Sequence, residues 1–349
     1  MKSMHSQEYK NTSNTNQREA LGTLNNLSEY DKSMIEKYQS EIKDGTVAIQ
    51  RNQDLTSLNF IRLLNLNELV LKYCQRIIPK LESQSIKKLE IIDSKIQSVK
   101  DFRLDNLEVL DIQNYFQYLE SKTLIFEIVM FQKLKELYLY SWEIDISPLS
   151  QMTGLSKLSL IQCNLRSTKV LRPLINLKEL NIGGNDIDIT TVQYLTNLTK
   201  LSLECCNLVN IDALRELTQL EELNISTNSI IYIQPLMGLK QLSRLEAINN
   251  YIIDSKSIQQ HPNFEMFNLS DQEKPTKLQV REANILKLIN SPIIYQKQIY
   301  KKSSHIQLLY TIFKKKVIQQ LQKYNIFNEQ FHTRAVQLFQ RINVFEDCQ

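Results

Sequence analysis

Few residues of this chain have the type and spacing that catalysis requires. The sequence contains no Walker loop, no GxGxxG or HExxH motif, no nucleophile elbow and no kinase signature. The Gly183-Gly184 pair suggests a phosphate loop, but no helix N-terminus is expected behind it. A catalytic serine or cysteine also needs a base, and none of the few histidines lies at the repeated positions described below. The four histidines are His5, His261, His305 and His332. The sequence therefore predicts a protein that is not an enzyme and has no cofactor-binding or metal site.

A second kind of chemistry, the attraction of polyanions, is suggested by a run of lysines near the C-terminus. Residues 283–328 contain eight lysines and no acidic residue, with tyrosines such as Tyr295 and Tyr300 among them. Basic residues with interleaved aromatics are typical of surfaces that bind nucleic acid or anionic membranes. The same pattern fits the solvated side of an amphipathic helix, and both interpretations stay open. The candidate contact residues are Lys297, Lys301, Lys302, Lys314, Lys315 and Lys316.

The bulk composition limits these interpretations. Of 349 residues, 42% are hydrophobic and 23% are charged, and the net charge of +4 does not by itself require a polyanionic partner. Residues 1–30 contain no apolar core of signal-peptide length, and no run of roughly 18 apolar residues occurs in the sequence. We therefore expect a cytoplasmic location.

A regular spacing of leucine and isoleucine organises the middle of the chain. In one example, positions 1, 4, 6, 9 and 11 of a repeating unit are Leu177, Leu180, Ile182, Asn185 and Ile187. Five consecutive units begin 21 or 22 residues apart, at Leu155, Leu177, Leu198, Leu220 and Leu242. Position 9 is asparagine or cysteine in each of the five. This pattern resembles the leucine-rich repeat, L-x-x-L-x-L-x-x-N/C-x-L, whose period is about 20–29 residues.

The resemblance implies an α/β solenoid in the form of a leucine-rich-repeat horseshoe. It implies a concave parallel β-sheet, a convex side of short 3₁₀ or helical turns, a helical N-cap and a helical C-terminal tail. Units of this length with short outer segments are similar to those of the type-1 protein phosphatase regulatory subunit and of bacterial internalins. The similarity covers residues 45–270. Pro148 and Pro235 stand where a short outer turn would begin, a place that does not need the missing N–H.

The cysteines fit a structural role better than a disulfide or a metal site. Cys74, Cys163 and Cys206 stand at position 9, where the asparagine or cysteine of a leucine-rich repeat hydrogen-bonds the backbone of the turn. No CxxC pair occurs, and the total of five cysteines is odd. We predict that these thiols stabilise the turns.

Four regions follow from the pattern. They are a polar arm at 1–27, for which disorder is predicted, a capping helix at 28–45, a solenoid with its C-terminal cap at 46–275, and a helical, lysine-rich region at 276–349. In the capping helix, Met34 or Ile35, together with Tyr38 and Ile42, forms the predicted apolar face.

The two ends of the solenoid are less regular than its middle. A degenerate leader, with Val47, Ile49 and Asn52 at positions 4, 6 and 9, precedes about nine clear units. The pattern ends after Ile252, and residues 261–269 are predicted to form a cap on the last unit.

One unit is longer than the others. The spacing from Leu107 to Leu134 is 27 residues, and the excess lies in the apolar segment 115–132. Because insertions in such arrays map to loops and the outer wall, the segment is either a longer outer helix or a projecting lip. Position 9 is also changed here, to Tyr115 and Trp142, and we predict that the two rings stack inside the array.

The residues between the apolar positions are expected to point outward from the sheet, where equal positions of successive units form columns about 4.8 Å apart. Column 3 alternates in charge from Glu136 to Arg244, which predicts a ladder of neutralised pairs. Its members are Glu68, Lys88, Val109, Glu136, Lys157, Glu179, Lys200, Glu222 and Arg244. Column 5 is small and polar from Ser159 to Asn224, which predicts a shallow floor.

Aromatic residues interrupt columns 5 and 7 near the middle of the sheet. Tyr138 and Tyr140 lie on one predicted strand, beside Ile161 of the next. Exposed aromatics are common anchors of protein interfaces, so a protein-binding role is predicted here. The alternative is that these side chains pack only against one another. The predicted protein-binding residues are Tyr73, Ile92, Tyr138, Tyr140, Ile161 and Glu204.

The sequence thus favours a non-enzymatic scaffold or adaptor that binds a protein partner on the concave face of a leucine-rich-repeat array. A protein phosphatase is suggested as the partner only by analogy of fold. The alternative function is association with RNA or an anionic membrane through the basic helical tail.

Overall fold

The computed structural model describes residues 27–280, except 52–54, 75–77, 79, 97, 115–123, 142–144, 259–260, 262, 264 and 278. The chain divides into two compact units, Met1–Lys274 and Pro275–Gln349. Only the beginning of the second unit is described. There the Thr276 hydroxyl accepts a hydrogen bond from the N–H of Gln279 at 3.2 Å, which caps the start of a helical turn. The rest of the predicted C-terminal helices and the predicted arm before Leu27 lie outside the described residues.

In the described part of the chain, eleven parallel strands form one sheet, and their order in the sheet is their order in the sequence. Each circuit of the chain, here called a coil, adds one strand. The strands are β1 (Thr46–Gln50), β2 (Glu68–Lys72), β3 (Lys88–Ile92), β4 (Val109–Gln113), β5 (Glu136–Tyr140), β6 (Lys157–Ile161), β7 (Glu179–Asn181), β8 (Lys200–Ser202), β9 (Glu222–Asn224), β10 (Arg244–Glu246) and β11 (Met266–Asn268).

The leucines of successive coils line one shared interior. Successive residues of a strand point to opposite sides of the sheet, so one set is buried and the other faces outward. In β5, Leu137 and Leu139 are buried, whereas the residues beside them are half-buried. One row of the interior, Leu180, Leu201 and Leu223, is 2%, 3% and 2% exposed. The predicted solenoid with its parallel sheet is confirmed.

Short 3₁₀ helices form the side of most coils that lies opposite the sheet. They span Asn59–Leu63, Ser147–Gln151, Lys169–Leu171, Val192–Tyr194, Asp212–Glu216 and Gln234–Gly238. Pro148 and Pro235 lie in the first turns of two of them, as predicted, because that position needs no N–H donor. Within the described ranges, no helix has the length and apolar character needed to cross a bilayer.

The longest coil carries an α-helix instead. Helix α2 (Leu124–Ile128) buries Leu124, Ile125 and Ile128 in the core. The Glu127 carboxylate accepts hydrogen bonds from the N–H of Val99 at 2.6 Å and of Lys100 at 3.2 Å. The described part of the long segment therefore packs onto the preceding coil, as the longer-helix interpretation expects. Tyr115 and Trp142 lie outside the described residues, so their stacking stays a prediction.

Helix α1 (Glu29–Gln39) covers the N-terminal end of the sheet. Its N-cap is Ser28, whose hydroxyl accepts a hydrogen bond from the N–H of Asp31 at 3.1 Å. Met34 and Tyr38 are buried, and the Tyr38 ring stacks on Phe60 of the first outer turn with 6.0 Å between centroids. The leader coil that α1 covers supplies β1, which pairs with β2 in full register.

The expectation that the repeat ends at Ile252 is wrong, because one further coil follows. Strand β11 pairs with β10, and the Gln272 side chain occupies the place that asparagine takes in earlier coils. Its Oε1 accepts from the N–H of Ile252 at 3.0 Å, and its Nε2 donates to the carbonyl of Ala247 at 2.8 Å. The residues predicted as a cap are thus a last coil. His261 has a structural role in it, since its Nε2–H donates to the Leu239 carbonyl at 2.9 Å.

Candidate functional site

The outward face of the sheet consists of columns 3, 5 and 7, and the strand register places their members side by side. Glu136 pairs with Lys157, Tyr138 with Ser159, and Tyr140 with Ile161. The register confirms columns 3 and 5 from β2 to β10 and column 7 from β2 to β6. Beyond β6 the column 7 residues follow the ends of three-residue strands.

Column 3 forms two groups of ion pairs between neighbouring strands, as its alternating charges predict, with no pair between Glu179 and Lys200. Lys157 Nζ lies 3.4 Å from a carboxylate oxygen of Glu136 and 3.5 Å from one of Glu179. Glu222 is shared in the same way between Lys200 at 3.1 Å and Arg244 at 3.5 Å. Pairs with this exposure contribute little to stability, about 0–1 kcal/mol each. Their consequence is that this side of the face carries little unneutralised charge.

A separate, branched contact lies at the N-terminal end of column 3, on the other side of the uncharged Val109. Lys88 Nζ lies 2.7 Å from Glu90 and 2.9 Å from Glu68. The hydrogen bond to Glu90 is the main cause that raises the pKa of Lys88 above its usual range. This lysine therefore stays charged and occupied at physiological pH.

Three of the predicted protein-binding residues form one continuous patch, here called the anchor patch: Tyr138, Tyr140 and Ile161. All three are half-buried, and Tyr140 lies directly across from Ile161. The Tyr138 hydroxyl donates to a Glu136 carboxylate oxygen at 2.8 Å, which holds the ring in place. Burial first, and then this hydrogen bond, raise the pKa of Tyr138 above its usual range. The phenol therefore remains a neutral donor.

The other three predicted residues lie apart from the anchor patch. Ile92 is separated from Tyr140 by Gln113 of the intervening strand. Tyr73 follows β2 with a left-handed φ of 54°, is 38% exposed, and has the Arg51 guanidinium 5.9 Å from its ring centroid. Glu204 is exposed and accepts a long hydrogen bond of 3.4 Å from Asn224. The six candidate lysines between Lys297 and Lys316 lie outside the described residues.

Beside the anchor patch a shallow groove of about 550 Å³ runs across strands β5 to β11. Its floor is column 5, where Ser159, Asn181, Ser202 and Asn224 follow one another. The ion pairs of column 3 line one side, and Tyr138 stands at one end. The small polar residues of column 5 were the only sequence signal for this groove, because its depth depends on what the neighbouring columns present.

A ladder of position 9 side chains fixes the turn that follows each strand. Asn228 Oδ1 accepts from the N–H groups of Cys206 and Leu208 at 3.0 and 2.9 Å. Its Nδ2 donates to the carbonyls of Leu203, Ile225 and Ser226 at 2.8, 2.9 and 3.0 Å. Asn185, two coils earlier, makes the equivalent five bonds. Its Oδ1 accepts from the N–H groups of Cys163 and Leu165. Its Nδ2 donates to the carbonyls of Leu160, Ile182 and Gly183. These bonds join each coil to the one before it.

The solenoid is a leucine-rich-repeat array. The buried leucines at positions 1, 4 and 6 and the asparagine or cysteine rung at position 9 are the features that define this fold. The Cys206 thiol donates to the carbonyls of Ile182 and Glu204 at 3.3 and 3.4 Å, and the Cys163 thiol makes the same two kinds of contact. Burial raises the pKa of Cys206 to about 11, so this thiol is protonated at physiological pH and structural.

Solved structures of other leucine-rich-repeat proteins are similar to this chain. An internalin of Listeria monocytogenes is 19% identical, with 70% of this chain and 85% of that one covered and a TM-score of 0.49. A second Listeria internalin, C2, is 21% identical, with 55% and 80% covered and a TM-score of 0.44. TLR13, solved in complex with a single-stranded RNA, is 21% identical, with 66% and 43% covered and a TM-score of 0.45. No protein-family model and no curated protein sequence matches this chain. At these values the likeness concerns the kind of fold and carries no information about a ligand.

Asp111, in column 5 beside Tyr138, is an acidic residue that sequence reasoning did not single out. Its Oδ1 is buried and has no hydrogen-bond partner among the described residues, whereas Oδ2 accepts from Gln113 at 2.9 Å. Burial raises the pKa of Asp111, the Gln113 hydrogen bond opposes that shift, and the nearby Glu90 adds to it. The side chain therefore destabilises the fold while it is ionised.

Asp111→Asn is expected to increase the free energy of unfolding by about 1 kcal/mol at pH 7, because it removes a buried charge with an unsatisfied oxygen. The pKa of Asp111 is higher in the folded state than in the unfolded state, so the penalty is present at neutral pH and lost as the pH falls through these values. Urea unfolding of both proteins at pH 7 and at about pH 3 measures this. The exposed Asp105→Asn variant is the control, and a stabilisation that persists at low pH would contradict the assignment.

No metal centre supplements these residues in the described ranges, where no group of three or more His, Cys, Asp or Glu side chains is placed to hold a metal ion. The outward face carries a half-buried aromatic patch, a polar groove and the ion pairs of column 3. Surfaces that bind other molecules commonly combine such aromatic and polar features.

Proposed function

We propose that this protein is a non-enzymatic scaffold that binds a protein partner on the outward face of its sheet. The observation that carries the proposal is the anchor patch, in which Tyr138, Tyr140 and Ile161 are contiguous and half-buried. Aromatic residues of this kind, desolvated by a partner, supply most of the binding energy of many protein interfaces. The rigid strands under them hold the three side chains in a fixed arrangement, which lowers the entropy lost on binding.

The charges around the anchor patch support a partner that is not strongly charged. The column 3 carboxylates beside the groove are shared with lysine or arginine, as Glu222 is with Lys200 and Arg244. A highly charged partner would have to break such pairs to gain new ones. We do not propose a phosphatase as the partner, because the described columns carry no feature that selects one.

We also propose a cytoplasmic location. The Cys163 and Cys206 thiols are buried and donate hydrogen bonds to main-chain carbonyls, a role that requires them to stay reduced. The cytosol keeps thiols in this state. Imaging of the full-length protein with a C-terminal fluorescent tag tests the location, and a tag found outside the cytosol would overturn it.

Tyr138→Ala together with Tyr140→Ala is expected to weaken capture of the partner by more than tenfold, because the aromatic area of the anchor patch is lost. Affinity purification from the source cells with wild-type and variant full-length protein identifies the partner, and titration of that partner measures the loss. Tyr194→Ala is the matched control: this tyrosine is 44% exposed on an outer 3₁₀ helix, where Arg172 stacks over it at 4.2 Å.

The circular dichroism spectrum and thermal unfolding of the double variant should stay close to wild type, since both side chains face outward. Unchanged capture by a folded double variant would remove the proposal.

The lysine-rich segment 283–328 supports a second candidate, binding to RNA or to an anionic membrane. The salt dependence of binding distinguishes this candidate from the protein-binding scaffold. Binding through lysines should fall steeply between about 50 and 200 mM salt, whereas binding through Tyr138, Tyr140 and Ile161 should change little. Capture that survives the tyrosine variants and is abolished by salt would favour this second candidate.

A further inference from the structure

Column 5 carries a regular series of oriented amide groups, of which Asn181 and Asn224 line the groove. Asn181, Asn224 and Asn268 occupy column 5 on every second strand, β7, β9 and β11. Each Oδ1 accepts a hydrogen bond from the N–H two residues on, at 3.1, 2.9 and 3.1 Å respectively. These bonds fix the amide plane and leave Nδ2 as the donor that points away from the turn. The Nδ2 groups of Asn181 and Asn268 have no acceptor among the described residues, and that of Asn224 has only the 3.4 Å contact to Glu204.

Donors of this kind suit main-chain carbonyls that lack a partner. A helical partner segment bonds its own carbonyls internally, and a partner strand that joins the sheet needs a free sheet edge, which the middle of the face does not have. An extended segment lying across the strands meets neither restriction. Its carbonyl groups remain open to the Nδ2 donors.

The spacing of the donors selects among extended conformations. Neighbouring strands lie about 4.8 Å apart, so donors on every second strand are about 9.6 Å apart. A polyproline II segment repeats every three residues, over about 9.3 Å. In a β-strand, residues that point the same way lie about 6.6 Å apart, or about 13 Å for every second pair, which does not match. Every third carbonyl of a polyproline II segment can therefore meet one asparagine of the series.

The walls of the groove fit the same occupant. Tyr138 stands at one end and gives an aromatic surface for a proline ring. Along the side, Glu222 is shared between Lys200 and Arg244, so these charges do not select a charged segment. In the floor, Ser159 and Ser202 are small enough for a main chain to approach closely, and Glu246 lies between Asn224 and Asn268.

We infer that the partner presents an uncharged, proline-rich segment in the polyproline II conformation, which lies across strands β6 to β11 with every third carbonyl accepting from Asn181, Asn224 and Asn268. The inference rests on the proposed function and specifies the class of partner for the same face. A segment of this conformation is ordered before it binds, so little entropy is lost.

The test uses the full-length protein and a fluorescent peptide of about six Ala-Pro-Pro repeats, long enough to cross the groove. A Gly-Ser peptide of equal length has the same main-chain carbonyls without the polyproline II preference. We expect the Ala-Pro-Pro peptide to bind at least tenfold more tightly in fluorescence polarisation. Because neither peptide is charged, the affinity should not depend on salt.

Asn181→Asp with Asn224→Asp is the decisive variant. Aspartate keeps the Oδ1 that accepts from Gly183 or Ser226, so the turn is preserved, but it replaces the Nδ2 donor by an acceptor. Binding of the Ala-Pro-Pro peptide should fall at least tenfold, and the Asn181→Ala, Asn224→Ala pair should lose it as well. Gln241→Ala removes an exposed amide outside the groove and should bind as wild type does.

Equal binding of the two peptides, or full binding by the Asp variant, would overturn the inference. These outcomes are separable from failure of the proposed function, which is judged by capture of the natural partner. If the Tyr138→Ala, Tyr140→Ala variant loses capture of the partner and neither peptide binds, the scaffold function stands. The inference that the partner presents a polyproline II segment is then wrong. If capture is unaffected by the tyrosine pair, the proposed function itself has failed.

Discussion

Replacing Asn228 by alanine is expected to lower the free energy of unfolding by about 3–5 kcal/mol. The side chain is 8% exposed and makes five hydrogen bonds to the main chain. Alanine would leave the N–H groups of Cys206 and Leu208 without a partner inside the solenoid. Each buried donor left unsatisfied costs about 1–3 kcal/mol.

Asn228→Cys is the informative comparison, because cysteine occupies the same rung in the coils of Cys163 and Cys206. A thiol can donate to the carbonyls but accepts from N–H groups more weakly than an amide oxygen. Its cost should therefore be roughly half that of alanine. Gln219→Ala, an exposed amide on the turn before β9, serves as the control. Urea unfolding followed by circular dichroism gives the three values, and a cysteine variant as unstable as the alanine variant would contradict the rung interpretation.

Tyr38→Ala is expected to cost about 3 kcal/mol and to act locally. The ring is 3% exposed and stacks on Phe60, so its removal opens a cavity between helix α1 and the first coil. In a solenoid each coil contacts only its neighbours, so the end that loses its cover should open first.

Hydrogen exchange measures this directly. Amides of β1, such as those of Val47 and Ile49, should lose protection in the Tyr38→Ala protein, while the Leu201 amide in β8 should keep it. Glu36→Ala, on the exposed side of the same helix, is the control. Uniform loss of protection along the whole array would show that the solenoid unfolds as one unit and that α1 is not a separate cover.

The period of the repeat was enough to predict the architecture and the strand register. Leucines at equal intervals can be buried together only if each circuit of the chain returns to the same place, so Leu180, Leu201 and Leu223 had to stack. The order of charges in column 3 then predicted its ion pairs, since neighbours in a parallel register are known once the period is known. Pro148 and Pro235 likewise marked the outer turns, because the constraint of proline is local.

How exposed the residues of the outward face are could be read only from the folded molecule. Tyr138, Tyr140 and Ile161 are half-buried and Glu204 is exposed, although all four were predicted together as binding residues. The burial of Asp111 and the depth of the groove depend on side chains from neighbouring coils, which no single repeat specifies. The last coil was not predicted because its position 9 is Gln272. This longer side chain makes the turn hydrogen bonds that asparagine makes in earlier coils. Periodic apolar positions encode where a strand lies, whereas exposure and hydrogen bonding depend on which side chains the stacking brings together.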